Sequence, residues 1–175
     1  MNKIRNLFLI GGNGRNIGKT TLATSLIKKL SQQGTVIGLK ITSVYPGDEK
    51  YHGKKEIPLK NSFQVFEEFD RKGQKDTSKM LIAGAQKVYF IQVKDDSLSS
   101  IAHLIEKISN EYDYIVCESS SIRRVLIPNQ FILVKNPANP EKQSITDIEQ
   151  FADTILISQD SRMTSINNYV NNFTI

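Results

Sequence analysis

Apolar residues in this chain fall into two alternating patterns: short unbroken runs, and longer stretches in which they recur at helical spacing. Asn6–Ile10 (NLFLI) is an unbroken run ended by glycines, which predicts a strand buried on both faces, the habit of parallel sheets. From Lys19 onward, Leu22, Leu26, Ile27 and Leu30 recur at helical spacing and Gly34 stands where a C-cap glycine belongs, so a helix is expected over Gly18–Gln33. Val36–Ile41 (VIGLKI) predicts a second strand, closing a βαβ unit. Asp76 and Thr77 offer an N-cap ahead of Met80, Leu81, Ala83 and Ala85, and Lys87–Val93 (KVYFIQV) reads as a third strand. Leu98, Ile101, Leu104, Ile105 and Ile108 mark another amphipathic helix. Strands follow at Tyr112–Cys117, Phe131–Lys135 and Thr154–Ser158, and the Asn-rich tail beyond has only weak pattern. Strands alternating with helices predict an α/β fold, a three-layer P-loop sandwich around a mostly parallel sheet covered on both faces.

Between the second strand and Asp76 the rhythm breaks. Residues 42–75 hold Pro46, Gly47, Gly53, Pro58 and Gly73 among mixed charges, with one apolar stretch, Phe63–Phe69, that fits a strand or a helix turn equally. Irregular segments of that length tend to be functional, so 42–75 is expected to be an insert acting as a switch or substrate lid within one domain spanning residues 1–175.

Composition narrows the classes. A length of 175 residues with 39% hydrophobic residues suits one globular domain. The net charge of +5 is spread along the chain, favours anionic ligands such as phosphates, and leaves no nucleic-acid footprint. Cys117 is the single cysteine, which rules out an internal disulfide; with no cluster around His52 or His103 it also argues against structural zinc. The apolar run Leu7–Ile10 is too short for a signal-peptide core or a membrane span, so a cytoplasmic protein with no membrane partner is expected.

The chemistry concentrates where the first strand meets the first helix. Gly11–Leu22 reads GGNGRNIGKTTL and matches the phosphate-loop pattern at its most informative end, Gly18-Lys19-Thr20. The loop residues Gly12, Asn13, Gly14, Arg15, Asn16, Ile17 and Gly18 are expected to turn backbone amides toward phosphates, and the helix N-terminus adds partial positive charge. Lys19 is expected to bridge the outer phosphates, and the Thr20 hydroxyl, followed by Thr21, to reach Mg2+. Asn13 stands where the first glycine is usual, and Asn tolerates a left-handed backbone. Lys40 ends the second strand, where a parallel sheet delivers residues to its ligand crevice, and reads either as a γ-phosphate contact or as a solvated strand-end lysine. Glu118 ends the strand through Cys117 and reads as a Mg2+ partner or an exposed glutamate ahead of Ser119–Ser121. Asp76 divides evenly between a helix cap and a site role. Asn136 and Asn139 lie in NPANPE, a segment read as a turn or a base contact; without an Asn-Lys-x-Asp signature, ATP and GTP stay equally open. Cys117 reads as a small core residue and His103 as surface.

Gly12–Thr20, of the form Gly-x-x-x-x-x-Gly-Lys-Thr, resembles the loops of dethiobiotin synthetase and its relatives, which bind ATP in a parallel-sheet domain. The dimeric ATPases with a deviant phosphate loop carry an extra lysine where Gly14 stands here, which disfavours an ATP-driven partitioning or electron-transfer role. The stretch from Lys75-Asp76-Thr77-Ser78-Lys79 to Ala83-Gly84-Ala85 is similar to a segment of the molybdopterin-guanine dinucleotide biosynthesis protein B family, in which an Asp-Ser/Thr helix ends in Ala-Gly-Ala. Lys40 matches that family's strand-two lysine, and Val116-Cys117-Glu118-Ser119 is similar to its Val-Glu-Gly strand end, with Ser119 in place of glycine. Members carry histidines where Ile41-Thr42-Ser43 stand. The resemblance spans residues Leu7 to Glu118 and implies slow hydrolysis of ATP or GTP with Mg2+, as an accessory factor in molybdenum cofactor biosynthesis. Lys19, Lys40 and Glu118 would then be the catalytic groups, and Thr20 and Glu118 the metal partners. A homodimer or a cofactor-assembly protein would be the partner. The alternatives are a small-molecule phosphotransferase or ligase resembling dethiobiotin synthetase, and a non-catalytic nucleotide-sensing module.

Overall fold

The computed structural model describes residues 1–44, 61–140, 143–159 and 163–174. Strands β1 (Lys3–Gly12), β2 (Val36–Val44), β3 (Phe63–Glu67), β4 (Lys87–Lys94), β5 (Tyr114–Glu118), β6 (Ile127–Lys135) and β7 (Thr154–Ile157) join one sheet in the order β3-β4-β2-β5-β1-β6-β7. All neighbouring pairs are parallel except β3 and β4. Helices α1 (Lys19–Leu30), α2 (Asp76–Ile82), α3 (Leu98–Ile108), α4 (Gln143–Glu149) and α5 (Thr164–Asn172), with short 3-10 turns at Asp95–Ser97 and Ile122–Arg124, complete the described elements.

The unbroken apolar runs explain the layering. In β1, Leu7 and Leu9 join a core with Ile101 and Ile105 of α3 and Ile145 and Ile148 of α4. Phe8 and Ile10, pointing the other way, join Leu22, Leu26 and Leu30 of α1, Met80 of α2 and Ile166 of α5. Strands buried on both faces leave no polar alternation, which is why they read as continuous runs. The result is the expected α/β sandwich, with the glycine loop between β1 and α1.

Several sequence-based expectations are corrected. The expected βαβ unit spans β5, which lies between β1 and β2, so α1 crosses over β5 on its way to β2. Gly34 is not the cap of α1: that residue is Ser31, in right-handed geometry, and the Gly34 amide closes the turn on the Leu30 carbonyl at 3.1 Å. Neither Asp76 nor Thr77 caps α2; Lys75 holds that position in extended backbone with no side-chain cap bond. The ambiguous stretch at Phe63–Phe69 contributes an antiparallel edge strand, β3, and β2 runs on to Val44. Residues 45–60 of the expected switch lie outside the described residues. β1 and β6 start earlier than the apolar runs indicate, at Lys3 and Ile127. The tail, weak in pattern, forms α5.

Candidate functional site

The carboxyl ends of β1, β5 and β2 open onto a cleft of about 790 Å³, the crevice where open parallel sheets take their ligands. Register places its floor. Ile10 of β1, Glu118 of β5, Lys40 of β2 and Phe90 of β4 are successive cross-strand partners, so they form one transverse row on the α1 face. Along that row the sheet changes from apolar beneath α1 to charged where the helix ends.

The loop is held from three sides. Asn13, buried at its first turn, donates to the Asn136 carbonyl at 2.9 Å and accepts from the Asn136 amide at 2.9 Å. The Asn136 side chain in turn accepts from the Ala138 amide at 2.9 Å, the turn-former reading of that residue. The Gly12 amide donates to the Ser120 hydroxyl oxygen at 3.0 Å, which gives the serine after β5 a loop-fixing role that the sequence reading as a turn former missed. Gly12 has no room for a side chain: a Cβ there would stand 2.7 Å from both the Val134 carbonyl oxygen and Ile17 Cδ1. Gly18 initiates α1 with φ of 95°, a left-handed conformation that glycine adopts without strain. Ile17 turns into the core below. Asn13, Gly14 and Ile17 thus shape the loop, whereas Gly12, Arg15, Asn16, Gly18, Lys19, Thr20 and Thr21 line the cleft.

The first turn of α1 meets the strand ends in a charged cluster. Thr20 donates its hydroxyl hydrogen to Glu118 Oε2 at 2.9 Å. Lys40 bridges two carboxylates, pairing with Asp76 and, at 3.2 Å, with Glu118 Oε1. Burial works against the Lys40 charge, but the Glu118 and Asp76 carboxylates outweigh it and raise its pKa. Burial likewise opposes ionisation of Asp76, yet the hydrogen bond and charge of Lys40 hold its carboxyl below the usual range. Lys19 folds back onto the Gly14 carbonyl. Lys19, Thr20, Lys40 and Glu118, all singled out in the sequence, therefore surround one cleft.

Asp76, which its own position divided between a cap and a site role and which the Asp-Thr motif favoured for the site, lines the same cleft. Thr77 beside it donates to Glu68 Oε2 at 2.7 Å, and that bond, set against the effect of burial, lowers the Glu68 pKa. Lys79, Phe90, Ser121 and Met163 also line the cleft, and none of them was singled out as a site residue in the sequence. Cys117 is buried within β5, where burial and then Glu118 push its thiol pKa up, and His103 is exposed on α3.

Among the described residues no three His, Cys, Asp or Glu side chains converge to hold a metal unaided, and no helix is long and apolar enough to cross a membrane. No protein-family model matches the chain. No curated protein matches it. Solved structures do, among them the kinase domain of Escherichia coli tyrosine kinase ETK, with a TM-score of 0.46 and 13% identity over 90% of this chain and 70% of that one.

Proposed function

We propose that the cleft binds a nucleoside triphosphate together with Mg2+, and that the chain hydrolyses it slowly as an accessory factor. The observation that carries this reading is the 2.9 Å bond from Thr20, in the first turn of α1, to Glu118 at the end of the adjacent strand. It joins the loop's helix to the one carboxylate that ends a central strand beside it, the arrangement by which phosphate loops organise a cation. The donors fit Mg2+: the Thr20 hydroxyl and the Glu118 and Asp76 carboxylates are hard oxygens, and Mg2+ is commonly held by one or two carboxylates with phosphates and water. Bound there, Mg2+ would supply neutralisation of the outer phosphates.

The chain's own groups do the rest. The Gly12 and Asn13 amides are taken by Ser120 and the Val134 carbonyl, so the backbone amides of Gly14–Lys19 and the N-terminus of α1 cradle phosphate oxygens. Lys19 exchanges the Gly14 carbonyl for the outer phosphates, and Lys40 leaves Asp76 and Glu118 for the γ-phosphate. Glu118 accepts from Thr20 and would serve Mg2+, so turnover is slow for want of an unencumbered base. ATP and GTP are equally compatible with this site, and a molybdenum-cofactor role rests on the sequence motifs alone. A phosphotransferase or ligase is the second reading, favoured by the extension of the cleft beyond Lys40 to Thr42 and Phe90.

The test is calorimetric titration with ATP and with GTP, each with and without Mg2+, on the intact chain and on Lys19→Ala. Saturable Mg2+-dependent binding that the variant loses is the expected result. Absence of binding by the intact chain would remove the proposal.

A further inference from the structure

A second, smaller pocket lies apart from the phosphate cleft, between α5 and the last two strands, and measures about 440 Å³. Ser165, Asn168, Tyr169 and Asn172 form one wall, and their spacing of three and four residues sets them on a single stripe of the helix. Gln130 of β6 lines the pocket from the sheet, and Phe173 closes it just past the helix end. α5 reads TSINNYVNN, with four asparagines and no charged side chain. Asparagine is a poor helix former, because its amide competes for backbone hydrogen bonds. A helix needed only to cover the sheet would present better formers to solvent, so these amides require another reason. Two of them reach the pocket. The Asn172 side chain donates to the Asn168 carbonyl at 3.0 Å, which folds its amide back along the stripe toward Asn168. Both residues are exposed, so their remaining donors and acceptors are open to a ligand. Tyr169 and Phe173 add aromatic rings with centroids 5.9 Å apart. Among the described residues no charged side chain lines the pocket, and the Lys29 ammonium near Phe173 is taken by the Val170 and Phe173 carbonyls.

We infer that this pocket is a second ligand site, for a neutral purine nucleoside bearing an exocyclic amino group. Asparagine and glutamine amides offer a donor and an acceptor side by side, the complement of an adenine edge. The Tyr169 ring supplies a surface for the base. The uncharged lining selects the nucleoside over its phosphates, because a phosphate here would lose water without gaining a counter-charge. This site stands independently of the nucleotide reading of the other cleft.

The probes are adenosine, purine riboside, which differs by the missing 6-amino group alone, and AMP, each titrated into the 15N-labelled full chain. Saturable shifts at the Asn168, Tyr169 and Asn172 amides are expected with adenosine. Purine riboside should bind there about fivefold more weakly, the worth of one hydrogen bond, and AMP no more tightly than adenosine. Asn168→Ala should bring adenosine down to the purine riboside level while raising the melting temperature, since alanine is the better helix former. Tyr169→Leu should weaken both nucleosides. The inference is overturned by adenosine shifts that are absent or confined to Gly14–Thr21, by purine riboside or AMP that binds the pocket more tightly than adenosine, or by undiminished adenosine affinity in Asn168→Ala. Shifts of the Gly14–Thr21 amides with Mg-ATP report on the phosphate cleft separately, so either reading can fail while the other stands.

Discussion

At Lys40 one ammonium serves two carboxylates, and its removal exposes what it balances. Glu118 is almost fully buried and Asp76 only partly so, so Lys40→Met leaves a buried negative charge beside a second one. The expected cost is about 1–3 kcal/mol of stability, measured by urea unfolding, because an unpaired charge loses more than the pair contributes. Gly12 presents a steric case. The Val134 carbonyl oxygen that a Cβ would meet at 2.7 Å is backbone of β6, paired on both sides, and cannot move aside. Gly12→Ala should therefore lower stability by about 1–3 kcal/mol and abolish calorimetric binding of Mg-ATP. Both residues were visible in the sequence as members of a pattern, but their partners were not. The Lys40–Asp76 pair spans 36 residues and the Thr20–Glu118 bond 98, distances over which no local periodicity carries information.

Among the elements, α5 has the least sequence signal and a close connection to the phosphate loop. Lys29, near the end of α1, donates to the Val170 carbonyl at 3.0 Å and the Phe173 carbonyl at 2.6 Å, closing the last turn of α5. Phe173 then packs edge-on against Phe8 of β1, with centroids 5.4 Å apart. At the other end, Ile166 and Met163 press against Gly18, leaving its missing Cβ only 2.5 Å from Ile166 Cδ1. The helix thus backs the residue whose left-handed geometry starts α1. Ile166→Ala should cost about 2–4 kcal/mol in urea unfolding, as for other fully buried aliphatic truncations. It should also weaken Mg-ATP binding in calorimetry, although Ile166 lies outside the cleft lining. The tail's polar composition hid this helix, because only one of its residues, Ile166, is fully buried, too few to produce a periodic stripe.

For the whole molecule, pH sets limits at both ends. Asp76 and Glu68 have folded pKa values below their ordinary ones. Their contribution is present above the unfolded value of about 4 and is lost as pH falls through the folded value. Cys117 and Lys40 act in the opposite sense, with folded values raised. Their contribution is complete below the unfolded values, about 8.5 for the thiol and about 10.4 for the ammonium, and is lost as pH rises. Tyr169, pushed up to about 12 chiefly by burial, adds to the alkaline limb. The melting temperature should therefore be flat between about pH 5 and 8 and fall on either side, with a shallower acid limb in Asp76→Asn. Mg-ATP at a hundredfold excess over its dissociation constant should add about 2.7 kcal/mol of stability throughout that plateau. Lys19→Ala should remove that gain.

Local order was settled by the sequence itself: the strand, glycine loop and helix at the start of the chain, the alternation that makes the sheet mostly parallel, and the residue types suited to phosphates and Mg2+. Those features depend on which faces are buried and on turns a few residues long, and both leave a periodic or compositional trace. The tertiary structure alone decided that β5 separates β1 from β2, that β3 runs antiparallel at the edge, and that Asp76 turns to Lys40 instead of capping its helix. It also decided that Phe90, the cross-strand partner of Lys40, extends the site's floor. Strand order brings these groups together, and that order follows from how whole faces pack, to which no single segment of the chain bears witness.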